Sequence, residues 1–186
     1  MPRNIEIKAK IEDYQQTKKI FAKITQDKPV KLNQRDIFYN LKSYRLKMRT
    51  INNDSHELIF YSRPNSADMK LSKYKRFSIK HPKLVDKILS AFLGRAGEVK
   101  KVRQLFLKDN IRFHLDRVEN LGDFIELEYV IPEKESIQTA KKNVKNITEQ
   151  LNIKKKDYID VAYMDLINRK NKKINGTQND AKEERT

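Results

Sequence analysis

The sequence predicts an α+β fold, an eight-stranded antiparallel β-barrel with flanking helices. Two observations favour it. Eight runs alternate polar and apolar residues with the period of two that is typical of strands, and turn-forming residues separate them. Most of these runs follow one another through short connections, and only one helix-like segment lies between them as a long crossover, which favours antiparallel pairing. Since antiparallel sheets of this size often close on themselves, we expect a barrel.

The predicted elements follow in chain order. Three helices are expected over residues 13–25, 82–93 and 135–151, the second with Pro82 in its first turn, where proline is tolerated. A last short element near residues 158–167 is expected to pack back on the body. The eight strands are predicted over residues 5–11, 35–40, 44–50, 56–63, 71–79, 99–107, 111–118 and 123–130.

The length of 186 residues suits one domain and a tail. We place the domain over residues 1–167. Residues 168–186 are almost wholly polar and have too little apolar surface to bury, so this tail is expected to be disordered.

The charge balance favours an anionic partner. The chain has 41 basic and 25 acidic residues, a net charge of +16, which suits a nucleotide, a polyphosphate, a nucleic acid or an anionic membrane. It has no cysteine, which excludes disulfides, thiolate metal sites and cysteine nucleophiles. The N-terminus lacks the apolar core of a signal peptide, and no run is long enough to span a membrane. We therefore expect a soluble cytoplasmic protein without a membrane partner, either a monomer or a homodimer.

Charged residues share one face of several predicted strands. Side chains alternate along a strand, so Glu6, Lys8 and Lys10 point away from their apolar neighbours. One strand of this kind is typical of a half-exposed sheet with its charges in water. Five together favour a barrel with polar residues inside and apolar faces packed against helices. The other four sets are Arg45, Lys47 and Arg49; Lys101 and Arg103; Arg112, His114 and Asp116; and Glu126 and Glu128.

These charges predict a ligand. Basic side chains gathered in a barrel would repel one another unless an anion joined them, and a triphosphate binds both arginine and lysine. The carboxylates of Glu6, Glu126 and Glu128 would also repel one another unless a hard cation lay between them. Mg²⁺ or Mn²⁺ suits oxygen ligands and bound phosphate. We therefore expect a divalent metal and a phosphorylated small molecule, such as a triphosphate or nucleotide, with RNA or another polyanion as a further possible partner.

Five segments carry a family resemblance: residues 4–10 (NIEIKAK), 35–39 (RDIFY), 45–49 (RLKMR), 101–103 (KVR) and 114–128 (HLDRVENLGDFIELE). In order and spacing they resemble the CYTH, or triphosphate tunnel, family. That family includes class IV adenylyl cyclases, thiamine triphosphatases and inorganic tripolyphosphatases. The resemblance covers roughly residues 4–166 and implies the same barrel.

The resemblance also implies residue roles. Glu6, Lys10, Glu126 and Glu128 would be catalytic. The metal ligands would be Glu6, Asp116, Glu126 and Glu128. The phosphates would be held by Lys8, Lys10, Arg45, Lys47, Arg49, Arg63, Lys101, Arg103 and Arg112.

Three positions depart from the family pattern. Lys8 stands where the N-terminal motif usually has its second glutamate, and Phe38 stands where some thiamine triphosphatases have a tyrosine. Ser62 lies near the position of an inward lysine in the hydrolases, and Arg63 would replace that lysine only if the strand were locally bulged. The arrangement is closer to the class IV cyclase-like branch.

Several functions stay open from the sequence. The leading hypothesis is a metal-dependent phosphohydrolase of the triphosphatase type, acting on a triphosphate or related organic phosphate inside the barrel. An adenylyl or nucleotidyl cyclase, a phosphorus-oxygen lyase that releases pyrophosphate, is the second. The third is a non-catalytic binder of polyphosphate, nucleotide or RNA, and the fourth is a nucleic-acid binder that uses its basic outer surface.

Overall fold

A computed structural model describes residues 3–62 and 70–172. Within these residues, the fold consists of eight strands, four helices and one 3₁₀ turn at Lys155–Asp157. The helices are α1 (Tyr14–Thr25), α2 (Pro82–Leu93), α3 (Ile137–Gln150) and α4 (residues 163–172). The strands are β1 (Arg3–Lys10), β2 (Val30–Tyr39), β3 (Arg45–Ile51), β4 (Ser55–Ser62), β5 (Lys70–Ser78), β6 (Arg95–Lys108), β7 (Ile111–Val118) and β8 (Gly122–Val130).

The sheet closes into a barrel. Its strands pair antiparallel in the order β1-β5-β4-β3-β2-β6-β7-β8, and β8 pairs back with β1. The predicted fold class is therefore confirmed. Two strands begin well before their predicted starts, β2 at Val30 and β6 at Arg95, because the start of each pairs across the sheet with the end of the other.

The apolar core lies outside the barrel wall, beneath the helices. Phe21 of α1 packs edge-on against Phe106 and Phe113, with ring centroids 5.7 and 5.2 Å apart. Val144 of α3 covers Ile5 and its neighbours on β1. Under α2 lie the outer side chains of β2 and β3, among them Ile37, Tyr39, Leu46 and Met48. Most strands turn an apolar side to a helix and leave a mainly polar side for the interior.

The helices begin where local chemistry predicts. The side chain of Asp13 accepts a hydrogen bond from the Gln16 amide at the start of α1, and Ser136 does the same for Thr139 in α3. Pro82 lies in the first turn of α2. Helix α4 continues past residue 168, where the sequence predicts the start of the tail, and residues 173–186 lie outside the described part.

Within the described residues, no helix combines the length and apolar character needed to cross a membrane.

One end of the barrel interior is filled by apolar side chains. Phe38, Val99, Val118 and Phe124 point inward there and pack against Tyr163 and the residues that follow it in α4. Gly97 has a φ of +148°, and a β-carbon at this position would clash with the methyl carbon of Met164. The glycine thus permits the close approach of α4. The expected packing of the segment near residues 158–167 on the barrel is confirmed, and the remaining space inside is polar.

Candidate functional site

A cavity of about 160 Å³ lies inside the barrel and is lined mainly by charged side chains. Strands that are far apart in sequence contribute to it, because their polar faces converge on one enclosed space. Of the described residues that line it, the basic ones outnumber the acidic ones. The basic group is Lys8, Lys47, Arg49, Arg76, Lys101, Arg103 and Arg112, and the acidic group is Glu6, Asp36, Glu126 and Glu128.

The first basic pair stands on β3. Lys47 and Arg49 are two residues apart, so both side chains point inward. Asp36, opposite Arg49 on β2, accepts from both of them. The Lys47 Nζ to Asp36 Oδ2 distance is 2.8 Å, and Arg49 forms a two-pronged contact at 2.7 Å with each carboxylate oxygen. The pair is therefore held in place by an aspartate on the neighbouring strand.

The second basic pair repeats this design on β6. Lys101 and Arg103 also lie two residues apart, and Asp116, opposite Arg103 on β7, accepts from both. Arg103 contacts the two Asp116 oxygens at 2.6 and 2.7 Å, and the Lys101 Nζ lies 3.0 Å from Oδ2. Asp116 is completely buried. The two repeats present two lysines and two arginines to the cavity.

Burial and charge set the protonation of these groups. Burial alone would raise the pKa of Asp36 and Asp116, but the adjacent arginine and lysine charges outweigh it and hold both pKa values below their usual range. Burial lowers the pKa of Lys101 to about 7 and that of Lys47 to about 8, and the neighbouring arginine adds to each shift. Since an anion would favour the charged lysines, binding in neutral solution is expected to take up protons.

Carboxylates dominate the wall formed by β1 and β8. Glu6 lies directly across from Glu128, and Lys8 lies directly across from Glu126. The Lys8 Nζ is 3.4 Å from Glu126 Oε2, and the Arg103 Nη2 is 3.4 Å from Glu126 Oε1. Burial would raise the pKa of Glu126, but the charges of Lys8 and Arg103 hold it well below its usual value.

Glu128 has polar partners of its own. Asn4 donates its amide to Glu128 Oε1, and the Arg112 Nη1 lies 3.2 Å from the same oxygen. His114 lies between the two glutamates of β8, its Nδ1 3.4 Å from Glu126 Oε1. Burial lowers the pKa of His114, with the Arg103 charge adding to the effect, so the neutral imidazole is favoured.

Tyr163 of α4 forms part of the cavity wall. Its hydroxyl donates to Asp116 Oδ2 at 3.0 Å, and its ring lies 4.2 Å from the Lys8 Nζ. Burial raises the pKa of this phenol well above its usual value, and the charge of Asp116 adds to the shift. The ring also packs edge-on against Phe124, with centroids 5.0 Å apart. Sequence patterns did not identify Tyr163, because it lies outside the strands and only packing of α4 brings it into the barrel.

The structure brings most of the predicted site residues together. Those lining the cavity are Glu6, Lys8, Lys47, Arg49, Lys101, Arg103, Arg112, Glu126 and Glu128.

Three predicted residues are placed elsewhere. Lys10 is exposed at the end of β1, and Arg45 lines a neighbouring cavity, where it lies 2.9 Å from Asp165 of α4. Asp116 lies behind the basic pair, with its oxygens engaged by Lys101, Arg103 and Tyr163. Arg63 lies outside the described residues.

The structure also places Phe38 and Ser62, two of the residues that depart from the family pattern. Phe38 lines the cavity. Ser62 is exposed, and the β3–β4 and β4–β5 pairings run in regular register through Tyr61, so Ile59 and Tyr61 are the inward residues of this strand. The lining residues that are absent from the predicted site include Asp36, Tyr61, Tyr74 and Arg76. The sequence does contain a signal for Asp36, because residues two apart on a strand share a face, and Asp36 therefore lies on the same face of β2 as Gln34 and Phe38.

The acidic wall offers a partial set of ligands for Mg²⁺ or Mn²⁺. In the described ranges, no three or more histidine and carboxylate groups cluster closely enough to form a metal centre. Glu6 and Glu128, however, are cross-strand neighbours that face the same cavity. Mg²⁺ is often bound by one or two carboxylates together with substrate phosphates. These two glutamates therefore fit a metal that arrives with a phosphorylated ligand.

The fold and the site define a class of closed antiparallel barrels with a charged interior. The chain belongs to the CYTH family: the model of the CYTH domain matches residues 2–163.

A curated relative, the putative adenylate cyclase MJ0240 of Methanocaldococcus jannaschii, is 27% identical over 175 residues, covering 87% of this chain and 97% of its own. Among solved structures, the PH1012 protein of Pyrococcus horikoshii is 24% identical with a TM-score of 0.77, covering 88% and 98%. The putative adenylyl cyclase HpAC1 of Hippeastrum, described as having a dominant triphosphatase activity, has a TM-score of 0.60 at 12% identity, covering 87% and 91%. These two structural likenesses concern the fold.

Proposed function

We propose that the protein is a metal-dependent phosphohydrolase that binds a triphosphate or related organic phosphate inside the barrel. The observation that carries this proposal is the pair of lysine and arginine sets, Lys47 with Arg49 and Lys101 with Arg103, each fixed by a buried aspartate. They line the same cavity as the Glu6 and Glu128 carboxylates. A phosphate chain between the two walls would contact cations on one side and a carboxylate-bound metal on the other.

Binding follows from the charges. Arginine recognises phosphate through two parallel hydrogen bonds, and lysine contributes a point charge. Because Asp36 and Asp116 already orient these side chains, little conformational entropy is lost when the ligand binds. The enclosed site also strengthens each electrostatic contact relative to one in water.

The proposed reaction is hydrolysis of the terminal phosphoanhydride. A water oxygen attacks the terminal phosphorus, the bond to the bridging oxygen breaks, and orthophosphate leaves with the shortened phosphate as the second product. The divalent metal held by Glu6 and Glu128 would supply positive charge to the phosphate oxygens. The chain's own part is to align the phosphates and to stabilise the charge that develops, which is the main catalytic requirement of phosphoryl transfer. Lys101 and Arg103 are suited to both tasks.

The relatives support a phosphorylated substrate. The Hippeastrum protein, although named a putative adenylyl cyclase, is described as having a dominant triphosphatase activity. The name of the Methanocaldococcus jannaschii relative favours a second candidate, a nucleotidyl cyclase. The products separate the two, since a cyclase would release pyrophosphate and a cyclic nucleotide.

A third candidate is a non-catalytic phosphate binder. It is favoured by the contact of Lys8 with Glu126, which engages one carboxylate of the acidic wall. Tight binding of tripolyphosphate that a chelator leaves unchanged, without any product, would establish this candidate.

The test offers the purified protein inorganic tripolyphosphate, ATP and thiamine triphosphate, each with Mg²⁺ or Mn²⁺, and measures orthophosphate. We expect orthophosphate release that stops when the metal is chelated. Glu128→Gln keeps the side-chain shape and is expected to lower kcat about a hundredfold. Glu133→Gln, an exposed position in a turn, is the matched control and should leave kcat unchanged. If none of the compounds yields orthophosphate under either metal, the hydrolase proposal is wrong.

A further inference from the structure

Helix α2 has more apolar surface than its contact with the barrel uses. Residues four apart lie on the same side of a helix, and one such set packs against the outer side chains of β2 and β3. A second set lies on a neighbouring side and is exposed. The packed set is Val85, Leu89 and Leu93, and the exposed set is Leu84, Ile88 and Phe92. The packed set already holds α2 on the barrel, so the exposed set is available for another contact.

The exposed set faces the outer side of β4 and β5. Successive residues of an α-helix are about 100° apart, so Leu84 and Asp86 lie on opposite flanks of the inward-facing Val85. The flank of Asp86 is directed to β2 and β6, because its carboxylate accepts from the Tyr39 hydroxyl and the Arg95 guanidinium. In the sheet, β6 lies on one side of β2, and β3, β4 and β5 follow on the other. The flank of Leu84 is therefore directed to β4 and β5.

Apolar side chains cover this part of the sheet. Leu58 and Phe60 of β4 are half-buried beside α2. Phe77 of β5 lies directly across from Leu58 and is 55% exposed. A helix that lies on a sheet leaves a step along its flank, and here both surfaces of the step are apolar. We call this step the α2 groove. Its floor is Leu58, Phe60 and Phe77, and its wall is Leu84, Ile88 and Phe92.

The rim of the α2 groove is basic. Lys83 and Lys87 are exposed and stand two residues before Val85 and Leu89, or about 200° around the helix, so they lie on the side of α2 away from the barrel. The only acidic residue of the stretch 75–95 is Asp86, which Arg95 already contacts. The basic residues of this stretch are Lys75, Arg76, Lys80, Lys83, Lys87 and Arg95. The rim therefore suits an acidic partner.

We infer that the α2 groove binds an acidic amphipathic helix of another protein. The apolar side of that helix would lie in the groove, and its carboxylates would meet the lysines of the rim. A second copy of this chain would bring one basic rim against another. A flat membrane would meet Lys83 and Lys87 before it reached the floor of the groove. This inference concerns the outer surface and does not depend on the hydrolase proposal.

The experiment uses a synthetic peptide as the probe. The peptide is about 18 residues long, which is enough to form a helix, with leucines at helical spacing and glutamates at the other positions. One companion peptide has glutamine in place of each glutamate, and another has the same residues in scrambled order. Fluorescence anisotropy measures binding of each labelled peptide to the full chain. We expect the acidic amphipathic peptide to bind at least about tenfold more tightly than either companion.

Double variants locate the site. Ile88→Ser with Phe92→Ser changes side chains that are already exposed, so the fold should persist, and the acidic peptide should bind about tenfold more weakly. Val30→Ser with Leu107→Ser is the matched control, since it removes exposed apolar side chains outside the groove and should leave the affinity unchanged. Circular dichroism checks that both variants are folded.

A second pair of variants tests the charge of the rim. Lys83→Glu with Lys87→Glu should also weaken the acidic peptide about tenfold. Lys141→Glu with Lys142→Glu makes the same change in charge on exposed positions of α3 and should weaken it much less. Of the eight substituted residues, none lines the central cavity, so orthophosphate release is a separate measurement and its failure would leave this inference standing.

Four results would overturn the inference. Two concern the peptides: equal binding of the acidic and scrambled forms, or an unchanged affinity in the Ile88→Ser and Phe92→Ser variant. The third is a dimer in sedimentation velocity that this variant dissociates, which would assign the groove to a second copy. The fourth is binding to vesicles of phosphatidylcholine and phosphatidylglycerol that the variant abolishes, which would assign it to a membrane surface.

Discussion

The two walls of the cavity are built differently. On the wall formed by β2, β3, β6 and β7, each lysine and arginine pair is anchored by an aspartate, so its geometry is set before any ligand arrives. On the wall formed by β1 and β8, Glu6 faces Glu128, and the Glu128 carboxylate is already contacted by Arg112 and Asn4. The comparison indicates that buried aspartates hold the cations of the first wall in place, whereas on the second wall basic and amide side chains contact the glutamates. Four predictions test this contrast, from the largest expected effect to the smallest.

Removing one of the buried aspartates that hold a lysine and arginine pair should cause the largest loss of stability. Asp116→Asn would leave Lys101 and Arg103 buried without their carboxylate, and breaking a buried pair in this way costs roughly 3–5 kcal/mol. Urea denaturation measures the loss. Asp123→Asn is the control, since Asp123 pairs with the exposed Arg117 on the outer surface and such pairs contribute about 0–1 kcal/mol. Equal losses in the two variants would contradict the anchoring role.

Loss of the hydrogen bond from Tyr163 of α4 to Asp116 is expected to have the next largest effect on stability. Tyr163→Phe removes the hydroxyl that donates to Asp116, and a hydrogen bond to a charged group contributes about 1.5–3 kcal/mol. We expect the lower end of this range, because Asp116 keeps its contacts with Lys101 and Arg103. The free energy of unfolding is again the measurement. Tyr44→Phe alters an exposed tyrosine and should change it little.

Replacing Arg49 should weaken ligand binding. Arg49→Lys keeps the charge but loses the guanidinium nitrogen that Asp36 leaves available for phosphate, and we expect tripolyphosphate to bind about tenfold more weakly, which corresponds to about 1.4 kcal/mol. Calorimetric titration measures the Kd. Arg35→Lys, on the outer face beside Glu98, makes the same substitution away from the cavity. An unchanged Kd in Arg49→Lys would place the phosphates elsewhere.

The pH dependence is the mildest effect. Because the pKa of Lys101 is lowered to about 7 and that of Lys47 to about 8, part of their charge is lost as the pH rises through this range. An anion restores the charge, so binding takes up protons and the affinity falls with rising pH. From pH 7 to 8 the fall should be smaller than the tenfold per unit that one whole proton would give. Titration in buffers of different ionisation enthalpy measures the uptake, and Lys101→Arg should reduce it. An affinity that rises with pH would contradict these lowered pKa values.

Much of the fold and of the site follows from local patterns. Period-two alternation places Lys47 beside Arg49 and Glu126 beside Glu128 on shared faces. The same rule makes Arg45 and Lys10 appear equivalent to their neighbours, although both lie toward strand ends, outside the central cavity. Alternation identifies a face of a strand but gives no position along the barrel axis. The starts of β2 and β6 were missed for a related reason, since their pairing with each other extends them beyond the alternating runs.

The sequence by itself determined the strands, their antiparallel pairing and the charge of their inner faces, because alternation and short connections are local properties of the chain. Tertiary structure decided which charges pair: Asp36 with the β3 cations, Asp116 with the β6 cations, and Lys8 with Glu126. It also brought Tyr163 of α4 into the barrel. Those contacts depend on strand register and on the closure of β8 against β1, which join residues more than a hundred positions apart. A carboxylate becomes an anchor or a metal ligand only through the neighbours that such closure gives it.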